Sequence, residues 1–130
     1  MAELIYKKLS YKIVGILFDV YNKLGPDYQE KYYQRAIKAT LEENKISFKR
    51  ELPVNLQFGS AKIGRHFVDF VIDDKIVLEI KKVRKLLPKD FKQALTYLKS
   101  LNKKLGILAN FNRDKLEYRR IINRDYTGKE

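Results

Sequence analysis

The stretch from His66 to Lys81, HFVDFVIDDKIVLEIK, decides the fold of this chain. Apolar side chains stand at alternating positions on both sides of a short polar break: Val68, Phe70, Ile72, Ile76, Leu78 and Ile80. Because successive side chains of a strand point to opposite faces, these residues can all lie on one face of a two-stranded hairpin. The stretch therefore predicts two adjacent strands, 66–72 and 76–83, with one shared core face.

The length of the turn decides which residues of the hairpin face each other. A two-residue turn would pair Ile72 with a lysine and would divide the apolar residues between the two faces. A three-residue turn, Asp73–Lys75, pairs Ile72 with Ile76 and keeps the apolar face intact. We therefore predict the three-residue turn, which places Asp69 opposite Glu79.

The other face of the hairpin carries three charged residues, Asp69, Glu79 and Lys81, among apolar neighbours. Charges on a mostly buried face persist when they are paired or when they coordinate an ion. Two facing carboxylates repel each other, and a divalent cation such as Mg²⁺, which prefers oxygen ligands, would remove that repulsion. The residues alone also allow an ordinary Glu–Lys pair in a basic protein.

The charge balance of the chain favours a polyanionic partner. Its 28 Lys and Arg residues against 16 Asp and Glu give a net charge of +12 on 130 residues. Such a field attracts nucleic acid and accelerates encounter with it. An acidic membrane surface or an acidic protein partner is the alternative. Between Lys81 and Lys104 the only acidic residue is Asp90.

Outside the hairpin, periodicity predicts three helices and two further strands. Helices are predicted over residues 4–24 and 27–44, and a third begins at Pro88 and ends near Leu101. Strands are predicted over 46–58, interrupted by Pro53, and over 105–111, followed by a short element of uncertain type. Four residues of the third helix are expected to face the core: Phe91, Leu95, Leu98 and Leu101. The order α-α-β-β-β-α-β predicts an α/β (α+β) domain.

The composition indicates a single domain over residues 1–130. The chain has no cysteine, which excludes disulfides and thiolate metal sites. It has no apolar run long enough to span a membrane, and its first residues lack the apolar core of a signal peptide. We therefore expect a cytoplasmic protein that does not associate with membranes.

Several motifs in sequence order resemble the PD-(D/E)XK nuclease superfamily. Asp69 precedes Glu79-Ile80-Lys81 across a strand, a turn and a strand, as in the core of that superfamily. The segment LGPDYQEKYY, residues 24–33, resembles the signature of the branch called GxxExxY proteins, with Glu30 and Tyr33 in the naming positions. Gln93, the pair Tyr97-Leu98 and the segment LGILANF, residues 105–111, match later parts of that branch.

The resemblance implies a restriction-endonuclease-like core, a central mixed sheet flanked by helices, and Mg²⁺- or Mn²⁺-dependent hydrolysis of phosphodiester bonds. It implies a catalytic set in which Lys81 positions the attacking water and Gln93 lines the site. The implied metal set consists of Asp69, Glu79, Ile80 and Glu30. Two positions depart from the pattern, since Val68 replaces the proline of the superfamily's name and Asp27 stands where the branch often has glycine.

Three residues allow a second interpretation. Glu30 could close a capping box with Asp27 at the start of the second helix, although helical spacing also places it on the inward face. Gln93 could be an ordinary solvated helix residue. His66, the only histidine, has the wrong parity to share a face with Asp69, which favours a structural or surface role over metal ligation.

The predicted function is that of a metal-dependent nuclease, an endonuclease acting on DNA rather than RNA, with branched or damaged DNA as candidate substrates. A homodimer would suit the cleavage of two strands. The residues predicted to contact nucleic acid are Lys82, Arg84, Lys85, Lys89, Lys92 and Tyr97. The alternatives are a basic nucleic-acid-binding module and a regulatory subunit, both without turnover.

Overall fold

The computed structural model describes residues 5–128, which form three helices and five strands. The helices are α1 (Lys7–Leu24), α2 (Glu30–Glu43) and α3 (Pro88–Leu101). The strands are β1 (Phe48–Phe58), β2 (Ala61–Ile72), β3 (Ile76–Lys81), β4 (Leu105–Phe111) and β5 (Leu116–Ile122). The predicted start of the first helix at residue 4 lies outside the described residues.

The strands form one mixed sheet in the order β1-β2-β3-β4-β5. Among these strands only β3 and β4 run parallel, because α3 returns the chain from the end of β3 to the start of β4. Helices α1 and α2 pack against one face of the sheet and α3 against the other. The predicted fold class, a central mixed sheet flanked by helices, is confirmed.

The turn between β2 and β3 has the predicted three-residue length, because Ile72 pairs with Ile76. Asp73 and Asp74 adopt φ values of 53° and 57°. This left-handed region is one that aspartate occupies more readily than most residues. The register prediction is confirmed.

The apolar face of the hairpin is interrupted at Asp69. Phe70 lies in the core beneath α1 and α2, whereas Val68 lies with Val71 in a smaller cluster beneath α3. The prediction that Val68 shares a face with Phe70 is therefore wrong. Alternation fails because the β2–β3 ladder ends at Phe70. The β1–β2 ladder is broken at the same place, since Glu51, the β1 residue that would face Asp69, adopts a φ of 54° and pairs with no residue of β2.

Several element boundaries also differ from the predictions. Helix α2 begins at Glu30 instead of Asp27, with Gln29 as its N-cap, so the alternative in which Asp27 and Glu30 close a capping box does not hold. Strand β1 continues through Pro53, because β1 is an edge strand and a proline there leaves no ladder bond unmade.

Strand β2 begins at Ala61, five residues before its predicted start, and β3 ends at Lys81 instead of residue 83. The element of uncertain type after β4 is a fifth strand, which pairs with β4 in antiparallel orientation. Its mixed sequence, LEYRRII, lacks a clean period of two because the strand is only partly buried.

Helix α3 packs on the sheet through a different stripe from the one predicted. Its buried residues are Asp90, Ala94, Tyr97 and Leu98, whereas Phe91, Leu95 and Leu101 are only half-buried. The helix approaches β4 closely at Gly106, where a Cβ atom would lie 3.2 Å from the Leu98 side chain. No helix within residues 5–128 is long and apolar enough to cross a membrane.

Candidate active site

Asp69 and Glu79 meet at the point where the β2–β3 ladder ends. Glu79 Oε1 accepts the main-chain N–H of Asp69 at 3.2 Å, and Asp69 Oδ2 accepts the N–H of Ile80 at 2.7 Å. Side-chain oxygens thus take the place of the carbonyls that would continue the ladder. The predicted juxtaposition of the two carboxylates is confirmed, and the interruption at Asp69 creates it.

Both carboxylates lie in surroundings that disfavour their charged forms. Only 4% of Glu79 is exposed, and burial, reinforced by the neighbouring Asp69, raises its pKa to about 8. Burial also raises the pKa of Asp69. The Lys81 ammonium acts in the opposite direction on both groups without offsetting the burial. The pair therefore lacks positive charge, which a divalent cation would supply.

Glu30, the first residue of α2, lies beside this pair. Gln34, one helical turn later, donates from Nε2 to Glu30 Oε2 at 3.1 Å and to Asp69 Oδ1 at 3.3 Å. The main-chain N–H of Lys82 also donates to the Glu30 carboxylate. Burial and the proximity of Asp69 raise the pKa of Glu30. Glu30 therefore belongs to the same cluster of carboxylates.

Gln34 was not among the predicted residues, although its spacing of four from Glu30 offered a signal. Its amide links two carboxylates through Nε2, and its Oε1 accepts a hydrogen bond from Arg50 at 3.1 Å. Arg50 also lies over the Phe70 ring, 5.0 Å from the centroid. Gln34 thus connects the acidic cluster to a cation of β1.

Lys81 points toward α3. Its Nζ atom donates to Gln93 Oε1 at 3.2 Å and lies 4.0 Å from Asp90 Oδ1. Gln93 is exposed, as its helical position suggested, and it also hydrogen-bonds the Tyr97 hydroxyl. The ammonium is therefore fixed by an amide on one side and by a carboxylate on the other.

Two aromatic side chains behave differently from the predictions. Tyr97, which was predicted to contact nucleic acid, is 1% exposed and offers almost no surface to a substrate. Its ring stacks on the His66 imidazole at 4.3 Å between centroids. His66 lies on the α3 side of the sheet, so it does not share a face with Asp69, as its parity indicated, yet its Nε2 atom lies 4.0 Å from Glu79 Oε2. The interruption of β2 at Asp69 brings His66 to the side of Glu79.

The donor set suits a hard divalent cation. Within residues 5–128 no three acidic or histidine side chains are grouped so as to hold an ion by themselves. Ile80 has a hydrocarbon side chain, which is buried in the core, so only its main-chain carbonyl could serve as a ligand. Mg²⁺ commonly binds through one or two carboxylates, with water and substrate phosphate completing its shell. Asp69 and Glu79 match that pattern.

The predicted phosphate-binding residues fall into two groups. Arg84, Lys85, Lys89 and Lys92 are exposed. Lys82 is half-buried, donates to the carbonyl of Pro26 and lies over the Tyr33 ring. A cavity of about 460 Å³ opens beyond Lys82, and it is lined by Lys82, Val83, Arg84, Asn112, Arg113 and Asp114. The first group is thus free to meet a substrate, whereas Lys82 secures the loop before α2.

Asn110 holds the chain where it leaves β3. This fully buried amide accepts the N–H of Val83 at 2.9 Å and donates to the carbonyl of the same residue at 2.9 Å. It also donates to Glu117 of β5 at 3.0 Å. The end of the strand that carries Glu79 and Lys81 is therefore fixed by side-chain hydrogen bonds from its neighbour β4.

The sheet and its helices resemble two solved structures. The crystal structure of SSO0001 matches with a TM-score of 0.57 and 20% identity, covering 72% of this chain and 49% of that one. The alkaline exonuclease LHK-Exo from Laribacter hongkongensis matches with a TM-score of 0.53 and 14% identity, covering 73% of this chain and 55% of that one. The chain thus spans about half the length of either structure, and these likenesses concern the fold.

No curated protein matches the chain. The profile of the PD-(D/E)XK nuclease superfamily matches residues 7–121, which include every element from α1 to β4 and nearly all of β5. The matched range contains Asp69, Glu79 and Lys81. The chain belongs to the PD-(D/E)XK nuclease superfamily.

Proposed function

We propose that this chain is a nuclease that hydrolyses phosphodiester bonds with Mg²⁺ or Mn²⁺, and that it acts as an endonuclease on DNA in preference to RNA. The observation that carries the proposal is the pair Asp69 and Glu79: Glu79 is buried and Asp69 half-buried, both have raised pKa values, and each carboxylate accepts a main-chain N–H of the facing strand, from Ile80 at 2.7 Å and from Asp69 at 3.2 Å. The likeness of residues 24–33 to the GxxExxY signature supports placement in that branch.

The residues of the site have distinct roles in this proposal. Asp69 and Glu79 hold the cation, and Glu30 adds a third carboxylate at the edge of the cluster. A divalent cation bound there would activate water and stabilise negative charge on the phosphate. Lys81, fixed by Gln93, orients the attacking water and offsets charge that develops on the phosphate in the transition state.

The exposed cations of the segment after β3 and of α3 would hold the phosphate backbone of the substrate. Arg84, Lys85, Lys89 and Lys92 are free of acidic partners at their charged ends, since no ion pair among the described residues involves them. Phosphate contacts of this kind make binding strongly salt-dependent. Binding should therefore weaken steeply between 50 and ~200 mM salt.

The test is cleavage of plasmid, single-stranded and branched DNA, and of RNA of matched sequence, by the purified chain with Mg²⁺, Mn²⁺ or EDTA. Asp69→Ala and Glu79→Ala should abolish cleavage, and Glu43→Ala, an exposed carboxylate at the end of α2, should retain it. Equal cleavage by wild type and Glu79→Ala would refute the proposal, because the activity would then come from a contaminant.

A binding module without turnover is the second candidate. Its supporting observation is that Asp69 and Glu79 already accept main-chain hydrogen bonds, so that they stabilise the hairpin without any ion. This candidate predicts salt-dependent DNA binding that persists in Glu79→Gln and no cleavage with any divalent cation. Calorimetric titration with Mg²⁺ separates the two, since only the nuclease proposal requires uptake of the cation at Glu79.

A further inference from the structure

The strands β1 and β2 extend as a two-stranded arm beyond the rest of the sheet. They pair with each other from Phe48 and Ile72 to Phe58 and Ala61, whereas β2 pairs with β3 only over residues 70–72. Residues 52–67, termed here the β1–β2 arm, therefore lack a strand neighbour on the β3 side. One face of the arm packs beneath α3 through Val54, and the opposite face is open.

The open face of the arm combines exposed apolar groups with a cation. Ile63 is 66% exposed and Phe67 is 50% exposed, with the exposed Arg65 between them. Across the ladder, Asn55 faces Arg65 and Pro53 faces Phe67. Neighbouring exposed apolar side chains at a fixed spacing mark a binding surface more often than isolated ones do.

The charge of the arm identifies the kind of partner. Residues 52–67 contain Lys62 and Arg65 and no acidic residue. An aromatic ring beside a guanidinium suits the base and the phosphate of a nucleotide, because bases stack on aromatic rings and phosphates pair with cations. A second copy of this basic chain would bring like charges together on this face.

The open face leads directly to the carboxylates. Phe67 lies two residues before Asp69 on the same strand, so their Cα atoms are about 7 Å apart. The hydrogen bond between Asp69 and Gln34 places Asp69 on the side of the sheet that carries α2. Phe67 lies on this same side, because its neighbour Val68 is buried on the other side, beneath α3. Arg65, Phe67 and Asp69 therefore form one row that ends at the candidate active site, and Ile63 lies at the register shift beyond Arg65.

We propose that the open face of the β1–β2 arm binds an unpaired nucleic-acid strand, with one base stacked on Phe67 and a phosphate on Arg65. This nucleotide would lie next to the phosphodiester bond that is cleaved at Asp69 and Glu79. That placement rests on the proposed function, whereas the stacking on Phe67 does not. The strand is unpaired because base faces within a duplex are covered by their neighbours and offer nothing to an exposed ring.

The test measures binding of a fluorescent 20-nucleotide oligothymidine and of a hairpin duplex by anisotropy, with the full chain in EDTA to prevent cleavage. Phe67→Ala should weaken single-strand binding by about 5- to 150-fold, the range that loss of one stacked base produces. Duplex binding should change less than about twofold, and Phe67→Trp should restore single-strand affinity. Tyr11→Ala removes an aromatic residue of α1 that is 82% exposed, and it should leave both affinities unchanged.

Arg65→Gln should lower the slope of log affinity against log salt by about 0.7, the value for one phosphate contact on a single strand. Unchanged single-strand affinity in Phe67→Ala, or equal losses on both probes, would overturn the inference. A third result would also overturn the inference: a wild-type dimer in sedimentation that Phe67→Ala converts to a monomer. The open face of the arm would then be a subunit interface.

The cleavage assay keeps this inference separate from the proposed function. Suppose that cleavage depends on Glu79 and that Phe67→Ala binds oligothymidine as wild type does. The nuclease proposal would then stand, and the proposal that the β1–β2 arm binds a single strand would be refuted. Selective loss of single-strand binding in a chain that cleaves no substrate would support the arm and refute the nuclease.

Discussion

The buried Glu79 should make the metal-free protein less stable as the pH rises. Its pKa is about 8 in the folded chain against 4.5 for an ordinary glutamate, because burial and then Asp69 disfavour the charged form. A carboxyl whose folded pKa lies above its unfolded pKa favours folding only while it is protonated. The stability of the metal-free chain should therefore decrease from about pH 4.5 to about pH 8 and should level off above that range.

The size of the effect follows from the two pKa values. At about 1.4 kcal/mol per pH unit, the interval between 4.5 and 8 corresponds to a loss of about 5 kcal/mol in the free energy of unfolding. This is an upper value, because a proton on Asp69 instead of Glu79 also removes the repulsion between the two carboxylates. Asp69 and Glu30 act in the same direction, since their pKa values are also raised. His66 opposes them below pH 6.5, because burial lowers its pKa and the neutral imidazole favours folding.

The assay is urea unfolding followed by circular dichroism between pH 5 and pH 8.5 in EDTA. Glu79→Gln should remove most of the decrease, and Glu43→Gln, which alters an exposed carboxyl, should leave it unchanged. Added Mg²⁺ should restore wild-type stability at pH 8 and have little effect on Glu79→Gln. An equally steep decrease in Glu79→Gln would refute the reasoning, because another group would then be responsible.

Three further changes test the surroundings of the carboxylates. Gln93→Ala should lower kcat about tenfold, or ~1.4 kcal/mol, with little change in KM, because Lys81 loses its fixing partner. Asn110→Ala should lower the free energy of unfolding by about 2–4 kcal/mol, since it leaves both main-chain groups of Val83 without their partner. Arg113→Ala should weaken DNA binding about 2- to 5-fold and lower its salt dependence, measured by anisotropy in a salt series.

Matched changes give the controls for the first two. Lys92→Ala alters an exposed residue of the same helix as Gln93 and should change affinity without changing kcat at saturating substrate. Asn55→Ala removes an exposed amide and should leave stability within about 0.5 kcal/mol of wild type. A Gln93→Ala variant with normal kcat would show that Lys81 needs no fixing partner.

The hairpin register was predictable from sequence because a slip of one residue would have exposed the whole apolar face. The same reasoning failed for Val68 and did not foresee the closeness of His66 to Glu79, since it assumed an uninterrupted alternation through Asp69. The interruption depends on Glu51, a residue of another strand whose left-handed conformation no local pattern of β2 reveals. Contacts with a neighbouring strand, and not the local sequence pattern of β2, therefore determine this part of the site.

Helix α3 illustrates a second limit. The prediction weighted large apolar residues such as Phe91 and Leu95, and the structure buries Ala94 and Tyr97 instead. The missing side chain of Gly106 lets Leu98 approach β4 closely, so the orientation of the helix depends on a residue of another element that the pattern of the helix does not show. Gln34 was missed for a related reason, because a polar helix residue gains a role only through a partner on another element.

The hydrogen bonds of Asn110 fix the end of β3, so the positions of Glu79 and Lys81 depend little on the side chains that follow Val83. Because one side chain of β4 occupies both main-chain groups of Val83, the strand that carries Lys81 has a fixed end that does not depend on the side chains of Arg84 and Lys85. Those two side chains are exposed, whereas Leu86 is buried and the N–H of Leu87 donates to Asp90 beside Lys81. Under the proposed function, exchanging Arg84 and Lys85 should therefore change substrate binding and leave the positions of Glu79 and Lys81 intact.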